Sequence, residues 1–301
     1  MRLSSVMAFC LTVVMGGPAM AIDASFGIPV AGRVALEGLS FDGAYRFGYV
    51  NGVARRGQQA QRFEIRHGDC GRASRVNDCD KDRGRVEMKE KPKNNMSRPN
   101  QGVWYGYSVL IPNDFVSLGR GNTMLGQVKA EGLSSPLWSL TFNDTPKLRF
   151  ADKKNGCKLG SMTSWKGRWI DITIYAHYGR SGQDVYFQLY KDGKLLCQRR
   201  SPFVPKHVAQ SNPKLGLKYG IYNSFVSRYL AKHGRTPAAA KKGPRMCSGG
   251  KCKSPSATPF RYEWGVRLPT HVIYYDEMRF GARREHVDVR MLEARGVPPV
   301  D

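Results

Sequence analysis

Three short runs in this chain place cations, amides and phenols at every second residue. In DRGRVEMKE, Arg85, Glu87 and Lys89 alternate with apolar Val86 and Met88. In MLGQVKAEG, Gln127 and Lys129 stand two apart, and in KLGLKYGIYNS, Lys218, Gly220 and Tyr222 follow the same spacing. Period two is the repeat of a β-strand, so each set shares one face of its strand. A single alternating strand is what any half-wet sheet shows. Three of them, all bearing cations or hydrogen-bond donors, describe a groove that holds carboxylates, with a phenol beside an ammonium as a candidate proton donor.

The charge points the same way. The chain holds 48 Lys and Arg against 24 Asp and Glu, a formal net charge of +24. Between Gly193 and Tyr262 there is no acidic residue and there are fifteen basic ones. A long acid-free interval makes a focused field that concentrates polyanions. The start of the chain says which polyanions. Arg2, an apolar run from Met7 to Met15 and the ending Ala19-Met20-Ala21 have the layout of a secretory signal peptide. Residues 1–21 are read as that leader and 22–301 as one mature domain of charge +23, secreted or periplasmic. For an exported protein the expected partner is an acidic polysaccharide; nucleic acid is not expected. No later stretch is a candidate transmembrane segment, and a monomer is expected.

The elements that must position the three runs are strands. GVWYGYSVLIP alternates and ends at a proline, HVIYYDEMRFG ends at a glycine, and SPLWSLTFND and RWIDITIYAHY read as half-buried strands. VYFQLYKDGKLLC is a hairpin, with Asp192-Gly193 supplying the two positive φ values of a two-residue turn. No long helical period and no repeat is present, so the chain reads as a single all-β domain. Ala231 to Pro259 is rich in Lys, Gly, Pro and Ser and reads as a long basic insertion loop, either a flap over a binding groove or a decoration. Six cysteines remain after the leader: Cys70, Cys79, Cys157, Cys197, Cys247 and Cys252. Pairing near neighbours gives Cys70–Cys79 and Cys247–Cys252, leaving Cys157–Cys197, one of about fifteen arrangements. A zinc site is the competing use, but no paired C-x-x-C spacing supports it.

The three runs resemble the signature strands of the jelly-roll polysaccharide lyases, the group containing alginate, glucuronan and heparin-lyase-I-like enzymes. That group shows R-(S/T)-E-L, Q-x-H and Y-F-K-x-G-x-Y strands; this chain has Arg85-Val86-Glu87-Met88, Gln127-Val128-Lys129 and Leu217-Lys218-Tyr219-Gly220-Ile221-Tyr222. QRFEIRHGDC, WYGYSVLIP, WKGRWIDI and YYDEMRFG resemble the heparin-lyase-I-like branch, so the likeness runs in order from about Gln61 to Gly281. The insertion at 231–259 is not part of it.

The resemblance implies a β-jelly-roll sandwich with a concave groove formed by one sheet, and cleavage of a uronate polymer by β-elimination. Removing the C5 proton beside a carboxylate builds up negative charge, which cations and donors offset. Arg85, by its bidentate fork, and Gln127 take that role. Tyr222 is the general acid and base, with Arg and Lys neighbours expected to lower its pKa. Lys129 stands where the family has histidine. It is an unusual base, or it neutralises charge while Tyr222 moves both protons, or it marks an inactive binder; the second is the expectation. Lys218, Lys89, Glu87, Asn223, Tyr107 and His177 are the expected substrate contacts, with Tyr105 and Tyr107 able to stack on sugars. Glu87 also has the geometry to orient Arg85. No cofactor is expected and metal use is open; Asp276 reads as structural, with calcium the alternative. A non-catalytic polysaccharide-binding jelly roll is the second reading. A glycoside hydrolase ranks below it, because no E-x-D-x-x-E array supplies paired carboxyl groups, and a cationic envelope-binding protein comes last.

Overall fold

The period-two runs form the strands of two facing antiparallel sheets. The computed structural model describes residues 27–73, 76–154, 156–237, 246–248, 251–253 and 259–301. The leader at 1–21 and much of the insertion loop lie outside the described residues. In chain order the first strands are β1 (Ile28–Pro29), β2 (Val34–Leu36), β3 (Phe47–Asn51), β4 (Gln59–Ile65), β5 (Arg72–Ala73), β6 (Val76–Asn77), β7 (Arg83–Glu90), β8 (Gly102–Leu110) and β9 (Asn122–Ala130). There follow β10 (Trp138–Thr141), β11 (Lys147–Phe150), β12 (Cys157–Lys158), β13 (Trp169–His177), β14 (Phe187–Lys191), β15 (Lys194–Arg199), β16 (Leu215–Ser224), β17 (Met246–Ser248), β18 (Lys251–Lys253) and β19 (His271–Gly281). Among the described residues three short α-helices, α1 (Lys206–Ser211), α2 (Ser227–His233) and α3 (Val289–Ala294), connect or flank them.

One sheet has the order β15-β14-β13-β8-β19-β4-β3, with β1 added against β19; the other has the order β12-β11-β10-β9-β16-β7-β2. All pairings between named strands are antiparallel, as an all-β sandwich requires. Apolar faces meet between the sheets. Val86, Leu125, Val128, Leu217, Tyr219 and Ile221 from the second sheet pack into the same core as Phe63, Tyr105, Tyr107, Ile273 and Tyr275 from the first. Each such side chain contributes about 1.5–3 kcal/mol when removed from water. The expected hairpin is present: Lys191 pairs with Lys194 across Asp192 (φ 50°) and Gly193 (φ 79°).

Two of the expected disulfides are present, Cys70–Cys79 and Cys157–Cys197. β17 and β18 pair so that Cys247 lies opposite Cys252, but their side chains are outside what is described. No helix among the described residues is long and apolar enough to cross a membrane.

Candidate active site

The three polar runs lie side by side in the seven-stranded sheet. β16 is flanked by β7 and β9, and the register matches Lys218 to Lys89, Gly220 to Glu87 and Tyr222 to Arg85 on one side. On the other side Lys218 faces Gln127 and Gly216 faces Lys129. Because Val86, Leu217, Tyr219 and Ile221 point into the core, the alternate residues all face outward. A groove of about 1450 Å³ runs over this face, with Arg85, Lys89, Lys129 and Lys218 in its walls.

An irregularity sets the aim of Tyr222. Between Tyr219 and Tyr222 the register with β9 slips, so that Gly220 and Ile221 together oppose Leu125. Such a bulge re-aims the side chains beyond it. Gly220 sits there at φ +128°, and a Cβ would stand 2.4 Å from the Val86 carbonyl oxygen. From the facing sheet, the Tyr275 hydroxyl shares its proton between the Leu125 carbonyl (2.7 Å) and the Gly220 carbonyl (2.9 Å). The glycine in the signature is therefore a packing requirement of the site.

The electrostatics differ from the sequence expectation at two residues. Arg85 does not offer a free fork. Its Nε and one terminal nitrogen donate to the two oxygens of Asp78 at 2.6 and 3.0 Å. The other terminal nitrogen stands 3.5 Å from Glu87, and the guanidinium lies over the Tyr222 ring at 4.3 Å. Arg85 is thus a cation held beside the phenol, with its bidentate edge already engaged. Tyr222 is also not pushed down. Burial raises its pKa, and the opposing pull of Arg83 and Arg85 is too weak to reverse that. At neutral pH the phenol keeps its proton. Lys129 moves the other way, lowered first by burial and then by Lys218, Arg85 and Arg83.

The remaining polar groups form a connected floor. Gln127 donates to Glu87 at 2.6 Å, and burial pushes the Glu87 carboxyl up against the pull of Lys218 and Arg85. Lys218 pairs with Glu37 at 2.5 Å; burial works against that carboxylate, yet the ammonium holds its pKa below the usual value. Asp78 and Glu37 were not picked out in the sequence. Asp78 adjoins the Cys70–Cys79 bridge, which anchors its loop under Arg85, and that adjacency was the one available signal. Nothing in the run around Glu37 marks it. Replacing Asp78 with alanine strands a buried guanidinium and should cost about 3 kcal/mol; a thermal unfolding curve that does not shift would refute the pairing.

Three expected substrate contacts lie elsewhere. Asn223 follows Tyr222, so it points away from the groove, accepting from Thr123 (2.9 Å) and meeting His271 at 3.3 Å. Tyr107 belongs to β8 of the other sheet and is buried in the core. Tyr105 is also buried there, with its hydroxyl 2.7 Å from that of Tyr178, so neither tyrosine offers a sugar platform. His177 ends β13 in that same sheet, and its Nδ1 accepts from the Gly179 amide at 3.1 Å. Asp276 spans backbone amides: one oxygen accepts from Arg55 (2.6 Å) and Arg56 (3.1 Å), the other from Glu277 (2.7 Å). Among the described residues no group of three or more His, Cys, Asp or Glu is arranged to hold a metal.

A family model described as polysaccharide lyase matches residues 33–279. The chain belongs to the polysaccharide lyase family. Among solved structures it is similar to an endo-β-1,4-glucuronan lyase from the fungus Trichoderma reesei, at 13% identity over 87% of this chain and 96% of that one, with a TM-score of 0.55. That likeness shows the lyase to have the jelly-roll fold. It is also similar to an alginate lyase from Alteromonas sp. 272, at 13% identity over 84% of this chain and 97% of that one, with a TM-score of 0.47. No curated protein matches this lyase.

Proposed function

We propose that this lyase is an exported enzyme that cleaves a uronate-containing polysaccharide by β-elimination in the groove over β7, β16 and β9. The observation that carries the reading is the register that gathers Arg85, Gln127, Lys129, Lys218 and Tyr222 on one outward face. Lys89 offsets the uronate carboxylate in place of the Arg85 fork that Asp78 occupies, with the remaining donor capacity of Lys218 and Gln127, already engaged to Glu37 and Glu87 respectively, beside it. The base removes the proton at C5, the C–H electrons form the C4–C5 double bond, and the C4–O4 bond breaks. O4 leaves with the proton of Tyr222.

The directions of the two pKa shifts divide the labour. Tyr222, held protonated by burial, is the acid. Lys129, made easier to deprotonate, is the base, in place of the earlier assignment of both transfers to the phenol. Along β16 the partner of Lys129 is six residues from Tyr222, roughly 20 Å of extended strand. What ties the two groups together is a shared pair of cations: Arg83 and Arg85 act on both. After elimination Lys129 loses its proton to water and Tyr222 regains one.

An amine base works only when neutral, so kcat/KM is expected to rise with pH through the depressed Lys129 pKa. Lys129→His should move that limb down toward about 6.5, the ordinary histidine value. Lys129→Met should cost about 10²–10⁴ in kcat. A pH profile unchanged by either substitution would return both transfers to Tyr222.

The test of the whole reading is ultraviolet absorbance of the mature protein with alginate, glucuronan, heparin, hyaluronan and pectate. The new double bond is conjugated to the carboxylate and absorbs where the substrate does not. A rise with one polymer identifies the chemistry and the substrate. Retardation by a polymer without any rise would instead support the non-catalytic binder. The similar structures do not favour the heparin-lyase-I-like branch over glucuronan or alginate substrates, so the panel includes all three.

A further inference from the structure

A second cavity, of about 480 Å³, opens on the same sheet toward β11. Its lining includes Arg120, Lys147, Arg149 and Arg228, against one acid, Asp144. None of these four cations forms an ion pair with a carboxylate among the described residues; Arg228 acts on Asp82 only at longer range and donates to the Arg120 carbonyl at 3.1 Å. This contrasts with Arg85 and Lys218, which already hold Asp78 and Glu37.

Register ties this cavity to the groove. One row across the sheet runs Arg85, Tyr222, Met124, Thr141, Lys147, and the next runs Lys89, Lys218, Gln127, Ser139, Arg149. From β16 to β11 are three strand spacings, about 14 Å. Between the two cavities stands Phe225, which lines both. It is 42% exposed, at φ 56°, with the Arg228 guanidinium 4.2 Å from its ring centre. A large apolar side chain held outward in a conformation that disfavours it, between two cationic cavities, is placed for contact with a ligand.

We propose that this cavity is a distal subsite for the carboxylate of a second uronate on the same polymer chain, with Phe225 packing against the sugar between the two sites. The proposal rests on the uronate-lyase reading above. Its consequence is a preference for long chains, because a short oligomer reaching Tyr222 leaves the distal cations unoccupied.

The test compares Lys147→Gln/Arg149→Gln with a charge-matched control, Lys194→Gln/Lys206→Gln, whose lysines are exposed and outside both cavities. Kinetics and gel retardation are run with size-fractionated alginate and glucuronan oligomers. The Lys147→Gln/Arg149→Gln variant should raise KM for long chains about five- to tenfold, the sum of two partly exposed charge contacts, with a smaller rise for short ones and a weaker salt dependence. The control should show neither effect. Arg120→Gln, on the exposed loop before β9 and lining only this cavity, should reproduce the chain-length effect if the sheet variant folds poorly. Equal shifts for long and short chains, or the same response as the control, would overturn the distal subsite while leaving the lyase intact. Absence of both binding and turnover in the unaltered protein would remove the uronate reading, and the subsite with it.

Discussion

Tyr222→Phe is expected to lower kcat by about 10³, within the range for loss of a general acid, while polymer retardation stays near that of the unaltered protein. The substitution removes one hydroxyl and keeps the ring. The Arg85 guanidinium, 4.3 Å above that ring, still has its face to rest on, and Asp78 still holds the arginine from the other side. The groove's shape and charge therefore survive. What is lost is the proton delivered to the departing O4. The raised pKa sharpens the expectation: a phenol that stays protonated at neutral pH works as a donor. Polymer binding and turnover falling together would mean that Tyr222 anchors substrate. Full retained activity would remove it from the reaction.

Gly220→Ala is expected to be the most damaging substitution of the smallest size, with a loss of about 3–5 kcal/mol in unfolding free energy, from overpacking and backbone strain combined. At φ +128° an L side chain is strained whatever the space around it, and the space is absent. The new Cβ would lie 2.4 Å from the Val86 carbonyl oxygen and 3.0 Å from Phe63 Cδ1. Neither can retreat: Val86 is in the β7–β16 ladder, and Phe63 is buried in the core. Relief would require β16 to shift, which would break the Tyr275 hydrogen bonds to Leu125 and Gly220 and move the Tyr222 ring from under the Arg85 guanidinium. Thermal unfolding by circular dichroism reads the effect. A stable alanine variant with normal turnover would show the bulge to be dispensable.

Much of this architecture was legible along the chain. Period-two alternation marked β7, β9 and β16 and assigned Arg85, Gln127, Lys129, Lys218 and Tyr222 to outward faces, because a strand's side-chain repeat is local. The Asp-Gly hairpin is equally local, since its turn depends on the φ values of two adjacent residues. The cysteine pairings were legible only as a choice, and the two that are described follow nearest-neighbour order.

Where alternation misled, it did so for one reason. It tells which residues share a face but not which sheet the strand joins or what covers that face. Tyr107 and His177 sit on well-formed strands of the sheet without the groove. Asn223 needed only parity: it is one residue past Tyr222 and so faces inward.

The sequence by itself determined an all-β chain, a strongly cationic character and the residue types at hand for carboxylate chemistry. Only the tertiary structure decided how those charges are distributed among partners. Asp78 reaches Arg85 from a disulfide-tethered loop, Glu37 reaches Lys218 from beyond β2, and Glu87 takes the amide of Gln127 from the second strand over. Burial, with Asp78 and Glu87, leaves the Tyr222 proton in place, while burial and the cations Lys218, Arg85 and Arg83 loosen that of Lys129 against the pull of Glu37. A pKa is set by desolvation and by charges within a few ångströms, whatever their separation along the chain. Strand pairing brings those charges together, and it is a property of the folded sheet.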